Sequence, residues 1–125
     1  MAAIREIVFD CERPSVLARF WAGVLDGYDV RAYDSAEIER LASLGLTPET
    51  DPTVAVDGPG PTLFFQLVPE HKTTKNRVHL DVEAPGLHGE VRRLVALGGS
   101  VLREFDGRTV MQDPEGNEFC VTEAR

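Results

Sequence analysis

Cysteine is scarce in this sequence, with only Cys11 and Cys120 in 125 residues. No Cys-x-x-Cys pair exists to hold a structural zinc, and two lone thiols fit a reducing compartment rather than a disulfide scaffold. Positive charge is also scarce: 13 Lys and Arg against 21 Asp and Glu leave a formal charge of -8. A nucleic-acid-binding surface wants a basic stripe, which this balance argues against. Long apolar runs are missing too. No stretch approaches the roughly 20 apolar residues that a membrane helix needs, and the start MAAIREIVFD has no signal-peptide core. The expectation is a cytoplasmic protein with neither a nucleic-acid nor a membrane partner.

What is present is ordinary in bulk, with 42% hydrophobic and 27% charged residues. The length suits one domain, or two half-domains sharing a core, with about two-thirds of the unfolded surface buried. The most informative stretch is Asn76–Pro85, NRVHLDVEAP. Val78, Leu80 and Val82 alternate with Arg77, His79 and Asp81, as on a strand with one apolar face. That face can lie on a helix, while the other collects a cation, an imidazole and a carboxylate. The segment EIVFDCERP, Glu6–Pro14, repeats the pattern. Asp10 and Asp81 stand 71 residues apart, as do Ile7 and Val78, Phe9 and Leu80, Glu12 and Glu83, and Pro14 and Pro85.

The element order repeats as well. A strand over Ile4–Cys11 leads into a helix over Ser15–Leu25, opened by Pro14, closed by Gly27 and apolar along Leu17, Phe20, Val24 and Leu25. Tyr28–Tyr33 reads as a short strand. Asp34-Ser35 can cap a helix through Glu37, with Ile38, Leu41, Ala42 and Leu44 on one face. Strands over Thr53–Val56 and Thr62–Val68 flank the turn Asp57-Gly58-Pro59-Gly60. After the polar stretch Glu70–Lys75, the second half predicts strand Arg77–Glu83, helix Leu87–Leu97 and strands Ser100–Phe105, Arg108–Gln112 and Asn117–Thr122. The turn Asp113–Gly116 follows Asp57–Gly60 by 56 residues rather than 71, so the first half carries about 15 extra residues, which fit at 34–50. A duplicated strand-helix-strand-strand-strand unit explains this order. Module one spans 1–69 with an insertion at 34–50, a connector spans 70–75, and module two spans 76–125. The insertion is either a lid or surface packing.

One helix covers only one face of a four-stranded sheet. Two such sheets, curved side by side, would leave an open trough lined by their bare faces. Alternation assigns Glu6, Val8 and Asp10 to that lining, with Arg77, His79 and Asp81 from the matching strand. Phe64 and Gln66 join them if Leu63 and Phe65 pack on the helix, and Cys120 if Phe119 and Val121 face inward.

With FDCERPSVLARFWAGVL, LFFQLVPEHKTTKNRVHLDV and VMQDPEGNEFCV in view, the chain resembles the vicinal oxygen chelate superfamily. Within it, the glyoxalase-like and bleomycin-resistance-type proteins of the bacterial branch are the most similar. The resemblance covers nearly the whole chain and includes the DPEGNEF turn into the last strand. It implies an α+β fold of two βαβββ modules, a small-molecule ligand and a homodimer. In metal-dependent members each module supplies one ligand from its first strand and one from its last. Carried over, those places fall on Glu6, Phe64, Arg77 and Cys120. Phenylalanine cannot ligate, arginine stays protonated and cysteine prefers softer metals, so no standard divalent-metal site and no cofactor are expected. His79 and Gln66 lie two residues along on the same faces, and a shift of register would bring them into a ligand set.

The candidate ligand-binding residues are therefore Glu6, Val8, Phe64, Gln66, Arg77, His79 and Cys120, with His79 and Glu6 as candidate proton-transfer groups. Arg77 either clamps an acidic group or pairs with Glu6. Cys120 is a nucleophile only if a neighbour lowers its thiol pKa, and otherwise an inert buried cysteine. Trp21 and Phe20 read as core or a dimer contact, Asp10 and Asp81 as turn or helix-entry residues, and Asp113 and Asn117 as shapers of the last turn. The expected function is binding of a partly apolar, acidic small molecule. The alternatives are a metal-dependent lyase or isomerase with a non-standard ligand set, and an antibiotic-sequestering protein.

Overall fold

The computed structural model describes residues 1–125. They divide into two compact units, Met1–His71 and Lys72–Arg125.

In the first unit, the alternation EIVFDC forms β1 (Glu6–Cys11). Pro14 opens α1 (Pro14–Val24), where its missing N–H costs no intrahelical bond. β2 (Asp29–Val30), α2 (Ser35–Ser43), β3 (Thr53–Asp57) and β4 (Thr62–Leu67) follow. The sheet order is β1-β4-β3-β2, with β1 and β4 parallel and Phe9 beside Phe65. Leu63 and Phe65 turn to the helix side and are buried, as are Leu17, Ala18 and Trp21 of α1. Phe9 knits the layers together, its ring centroid 5.5 Å from Trp21 and 4.9 Å from Phe65. Phe20 packs edge-on against Trp21, so both belong to the core. The extra helix α2 begins where expected, with Asp34 accepting from the Glu37 N–H at 2.8 Å.

The second unit repeats this plan as β5 (Leu80–Ala84), α3 (Leu87–Leu97), β6 (Ser100–Phe105), β7 (Arg108–Gln112) and β8 (Glu118–Glu123). Its order β5-β8-β7-β6 is that of the first sheet, and β5 and β8 are again parallel. Leu80, Phe119, Met111 and Val101 are successive cross-strand partners, and Phe119 and Met111 are fully buried. No side chain of its own caps α3, whose entry residue Gly86 sits at φ 74. Instead Glu123 accepts from the Gly86 and Leu87 N–H groups at 2.7 and 3.2 Å, placing a carboxylate at the helix's positive end.

Two strand boundaries differ from the sequence expectation for identifiable reasons. The strand expected at Arg77–Glu83 begins only at Leu80. Asn76 has already clasped the start of β8: its side-chain oxygen accepts from the Glu118 N–H at 2.9 Å, and its amide donates to Asn117 at 3.1 Å. Leu80 lies beside Phe119, one residue further along. The three residues between, Arg77, Val78 and His79, must therefore arch out of the sheet. Val78, expected to face the core, is 77% exposed. The strand expected at Tyr28–Tyr33 shrinks to Asp29–Val30 because Tyr28 wraps the β3–β4 turn. Its ring lies 2.4 Å from where a Cβ on Gly58 would sit, and its hydroxyl donates to the Pro61 carbonyl at 2.9 Å.

The two halves also differ in register. Asp10 pairs with Gln66, whereas Asp81 pairs with Cys120 rather than with Thr122, which an exact copy would place there. A slip of two residues preserves which side chains face the helix, so it costs the core nothing.

Replacing Phe65 by Ala should cost about 3–5 kcal/mol in chemical denaturation, and Phe64→Ala on the opposite face clearly less. Arg31 grips Asp57 with two hydrogen bonds of 2.7 and 2.9 Å, and Thr62 adds a third of 2.8 Å. These bonds, against the opposing effect of burial, hold the Asp57 carboxyl at about 2, below its ordinary 3.8. The stabilisation is thus complete above about pH 4 and is lost as pH falls towards 2. Because both side chains are about half exposed, it should amount to only about 0.2–1 kcal/mol. Arg31→Met should flatten that part of the stability-against-pH curve.

Candidate active site in the second unit

The sheet face of the second unit that turns away from α3 carries its own row of partners. Arg103 pairs with Val110, Val110 with Cys120, and Cys120 with Asp81. A β-bulge between Val101 and Arg103 leaves Leu102 without a partner, so Leu102 and Arg103 line the same hollow although adjacent in sequence. Phe105 follows, and the hairpin through Asp106 and Gly107 (φ 73) sets Arg108 opposite it. The Arg108 guanidinium lies 4.6 Å from the centre of the Phe105 ring, a cation–π contact.

These residues enclose a concavity of about 530 Å³. Leu102, Phe105 and Val110 supply apolar wall, while Lys75, Arg103 and Arg108 supply three cations, with His79, Glu118 and Cys120 completing the lining. Glu118 is already engaged. Burial would raise its carboxyl, but the Asn76 N–H, its own backbone N–H and Lys72 outweigh that and hold it below the usual range. Lys72 Nζ stands 3.2 Å from Glu118 Oε1.

At one side of the concavity the arch returns to the sheet and brings His79 beside Asp81, Nε2 to Oδ1 3.2 Å. The Cys120 thiol joins them. Burial pushes that thiol above its usual pKa; the Asp81 charge and a hydrogen bond to its carboxylate add to this, and Arg108 and Lys75 pull the other way. At neutral pH Cys120 is therefore a protonated thiol, which is a poor nucleophile. Cys11 is buried at 2% exposure and belongs to the core.

The remaining sequence candidates fall elsewhere. Arg77 stands exposed on the arch and does not line this concavity. Glu6, Val8 and Gln66 lie on the bare face of the first sheet: Glu6 is 4.0 Å from Arg5, Val8 is 47% exposed, and Gln66 donates to Asp10 at 2.7 Å. Phe64 borders a small hollow of about 110 Å³ with Arg31, Tyr33, Glu37, Arg40 and Asp51. There Tyr33 donates to the buried Asp51 at 2.8 Å, and burial followed by that bond raises its phenol well above the usual value. Sequence reasoning passed over Lys75, Leu102, Arg103, Phe105, Arg108 and Val110. The alternation Arg108-Thr109-Val110 behind an Asp-Gly turn was a usable signal for two of them; the bulge at Leu102 left none.

Comparison with known proteins agrees with this architecture. The Glyoxalase-like domain family model matches residues 6–122, and the chain belongs to that family, within the vicinal oxygen chelate superfamily. A search of curated proteins returns no match. Among solved structures, a glyoxalase/bleomycin resistance protein/dioxygenase family enzyme from Burkholderia phytofirmans superposes with a TM-score of 0.69 at 13% identity, covering 99% of this chain and 100% of that one. The fosfomycin resistance protein FosX from Mesorhizobium loti gives 0.69 at 11% identity over 100% and 94%. A FosX variant from Listeria monocytogenes, complexed with Mn(II) and 1S,2S-dihydroxypropylphosphonic acid, gives 0.63 at 8% over 98% and 90%. At these identities the likeness is one of fold.

The residues at the four positions that the family resemblance assigns to a metal do not fit a hard divalent ion. Glu6 has the chemistry; Phe64 has no donor, Arg77 carries a fixed positive charge and Cys120 offers sulfur. The side chains grouped around Cys120 are a different set.

Asp81→Asn removes both a charge and an acceptor from the thiol. It should lower the Cys120 pKa, moving the pH midpoint of alkylation downward in chelator-containing buffer, with Cys11→Ser as the background for a single reactive cysteine.

Proposed function

We propose that this protein binds a small molecule with an apolar, flat body and an anionic head in the concavity between β6, β7 and β8. The observation that carries the reading is the pairing of apolar wall with unspent positive charge. Leu102, Phe105 and Val110 can bury a ring, and Arg103, Arg108 and Lys75 surround it in a protein of net charge -8. A volume of about 530 Å³ suits a metabolite or drug-sized ligand. Arg108 rests over the Phe105 ring before a ligand arrives, which lowers the cost of ordering its side chain on binding. A carboxylate or phosphonate there would take charge-assisted hydrogen bonds from one or both arginines. The phosphonate carried by a FosX protein of the same fold is a ligand of this charge class, which supports the reading. In this arrangement the clamp belongs to Arg103 and Arg108 rather than to Arg77, which the arch lifts away.

The test is a thermal-shift and calorimetric screen of aromatic carboxylates and phosphonates, run in chelator. Ligands should raise the melting temperature, bind more weakly as salt is added, and lose about tenfold or more in affinity with Arg108→Met. The melting temperature of the free variant and the effect of Arg77→Met should both stay near zero change. A ligand set that binds equally well to wild type and to an Arg103→Met, Arg108→Met double variant would refute the proposal.

A further inference from the structure

We propose, resting on the anion-binding reading above, that Lys72 keeps the concavity open to anions from outside it. It does so by holding Glu118, the one carboxylate on the lining, against the connector. The strand register shows why that carboxylate matters. β8 carries Glu118, Cys120 and Thr122 on one face, in steps of two residues or about 7 Å. Their partners on β7 are Gln112, Val110 and Arg108, and Arg103 joins the middle row across Val110. Glu118 thus stands one row from Arg103 and two rows from Arg108. Lys75 immediately precedes Asn76, whose N–H donates to Glu118 at 3.1 Å.

A free carboxylate in that place belongs to the class of anion that the concavity takes. It would pair with Lys75 or turn towards Arg103, and it would repel an incoming carboxylate or phosphonate. The connector prevents this. Lys72 Nζ meets Glu118 Oε1 at 3.2 Å, and the Asn76 N–H meets Oε2, so each oxygen has its own donor. Asn76 is fixed in turn, its side chain accepting from the Glu118 N–H and donating to Asn117. The side chains of Lys72 and Glu118 are only 23% and 12% exposed, so salt screens this pair less than a surface pair. Neither Lys72 nor Asn76 lines the concavity. Lys72 therefore offsets the charge of Glu118 and leaves Lys75, Arg103 and Arg108 to the ligand.

Lys72 is thus a positioning residue: it touches no ligand and acts through Glu118. The Asn76 donor is a backbone N–H that most substitutions leave in place, which makes Lys72 the replaceable half of the hold. Two consequences separate this role from that of a plain structural tether. Loss of Lys72 weakens an anion but spares a neutral molecule of the same shape. It also matters only while residue 118 carries a charge, so the two positions are energetically coupled. A lysine acting by its own long-range charge would matter equally with or without the Glu118 carboxylate.

Cys120 lies on the lining and reports on the concavity without a bound ligand. The full chain is labelled at low salt with two aromatic disulfides, the dianionic dithiobis(nitrobenzoate) and the neutral dithiodipyridine, and peptide mass spectrometry assigns the label to Cys120. The same thiolate attacks both reagents, so the ratio of the two rates cancels its pKa and exposure and leaves the local charge. Lys72→Met should lower the anionic-to-neutral ratio about 3–10-fold, the effect of a partly screened charge several Å away. Lys72→Arg should restore it. Added to Glu118→Gln, Lys72→Met should change it by less than about twofold. Circular dichroism reports folding, and Lys72→Gln, which keeps a donor without the charge, replaces Lys72→Met if that variant does not fold. A ratio unchanged on loss of Lys72, or lowered equally in the Glu118→Gln background, overturns the proposal. Calorimetry with naphthoate and the neutral naphthamide, in chelator, tests the anion-binding reading separately. Naphthoate that fails to bind wild type while the labelling ratios follow the expected pattern refutes that reading and upholds the hold of Lys72 on Glu118. Naphthoate that binds wild type and folded Lys72→Met equally well overturns the role of Lys72.

Discussion

Parallel pairing of the first and last strands within each unit is the constraint on which the rest of the structure depends. β1 against β4, and β5 against β8, fix which residues of the central strands face a helix and which face away. With that phase set, Phe65 and Phe119 fall into the cores, while Phe64 and Cys120 fall on the bare faces. A parallel pair cannot be closed by a tight turn and needs a long crossover. Here α1 and α3 begin those crossovers, so the helix that covers each sheet comes with the strand order that requires covering.

The fold was legible because it rests on short-range signals. Alternation in EIVFDC and RTVMQ, Pro14 at a helix start, Asp34 at a cap and the two Asp-Pro/Gly turns all act within a few residues, and each appears where the sequence implied it. The family likeness in the final turn was legible for the same reason: Asp113 accepts from the Glu115 and Asn117 N–H groups and from the Asn117 side chain, a self-contained loop. The candidate site was legible only in part. His79 and Cys120 could be placed on one face by counting residues. Their meeting with Asp81 depends on a two-residue slip of register, and the lifting of Arg77 and Val78 depends on one asparagine bridging to a strand some forty residues later. No local pattern in NRVHLDVEAP encodes that long-range bond. The bulge at Leu102 is equally silent, since it breaks alternation without any glycine or proline to mark it.

The electrostatics of the second unit divide its polar groups by task. Glu118, with Lys72 and Asn76, is spent on structure and stays ionised. Burial, with the Asp81 carboxylate adding to it, keeps the Cys120 thiol protonated. Arg103 and Arg108 project over apolar wall, where low dielectric would strengthen whatever anion they meet. An acidic chain thus gathers Lys75, Arg103 and Arg108 around one hollow.

The bulge in β6 carries a further consequence for the fate of the chain in crowded solution. β6 has a strand neighbour on one side only, and such a border is a template on which foreign strands can grow into aggregates. The extra residue distorts the spacing of the outward amides there, and Arg103 and Glu104 set opposite charges along the same border. The device that presents Leu102 and Arg103 to one hollow therefore also spoils the rim as a template on which a foreign strand could grow.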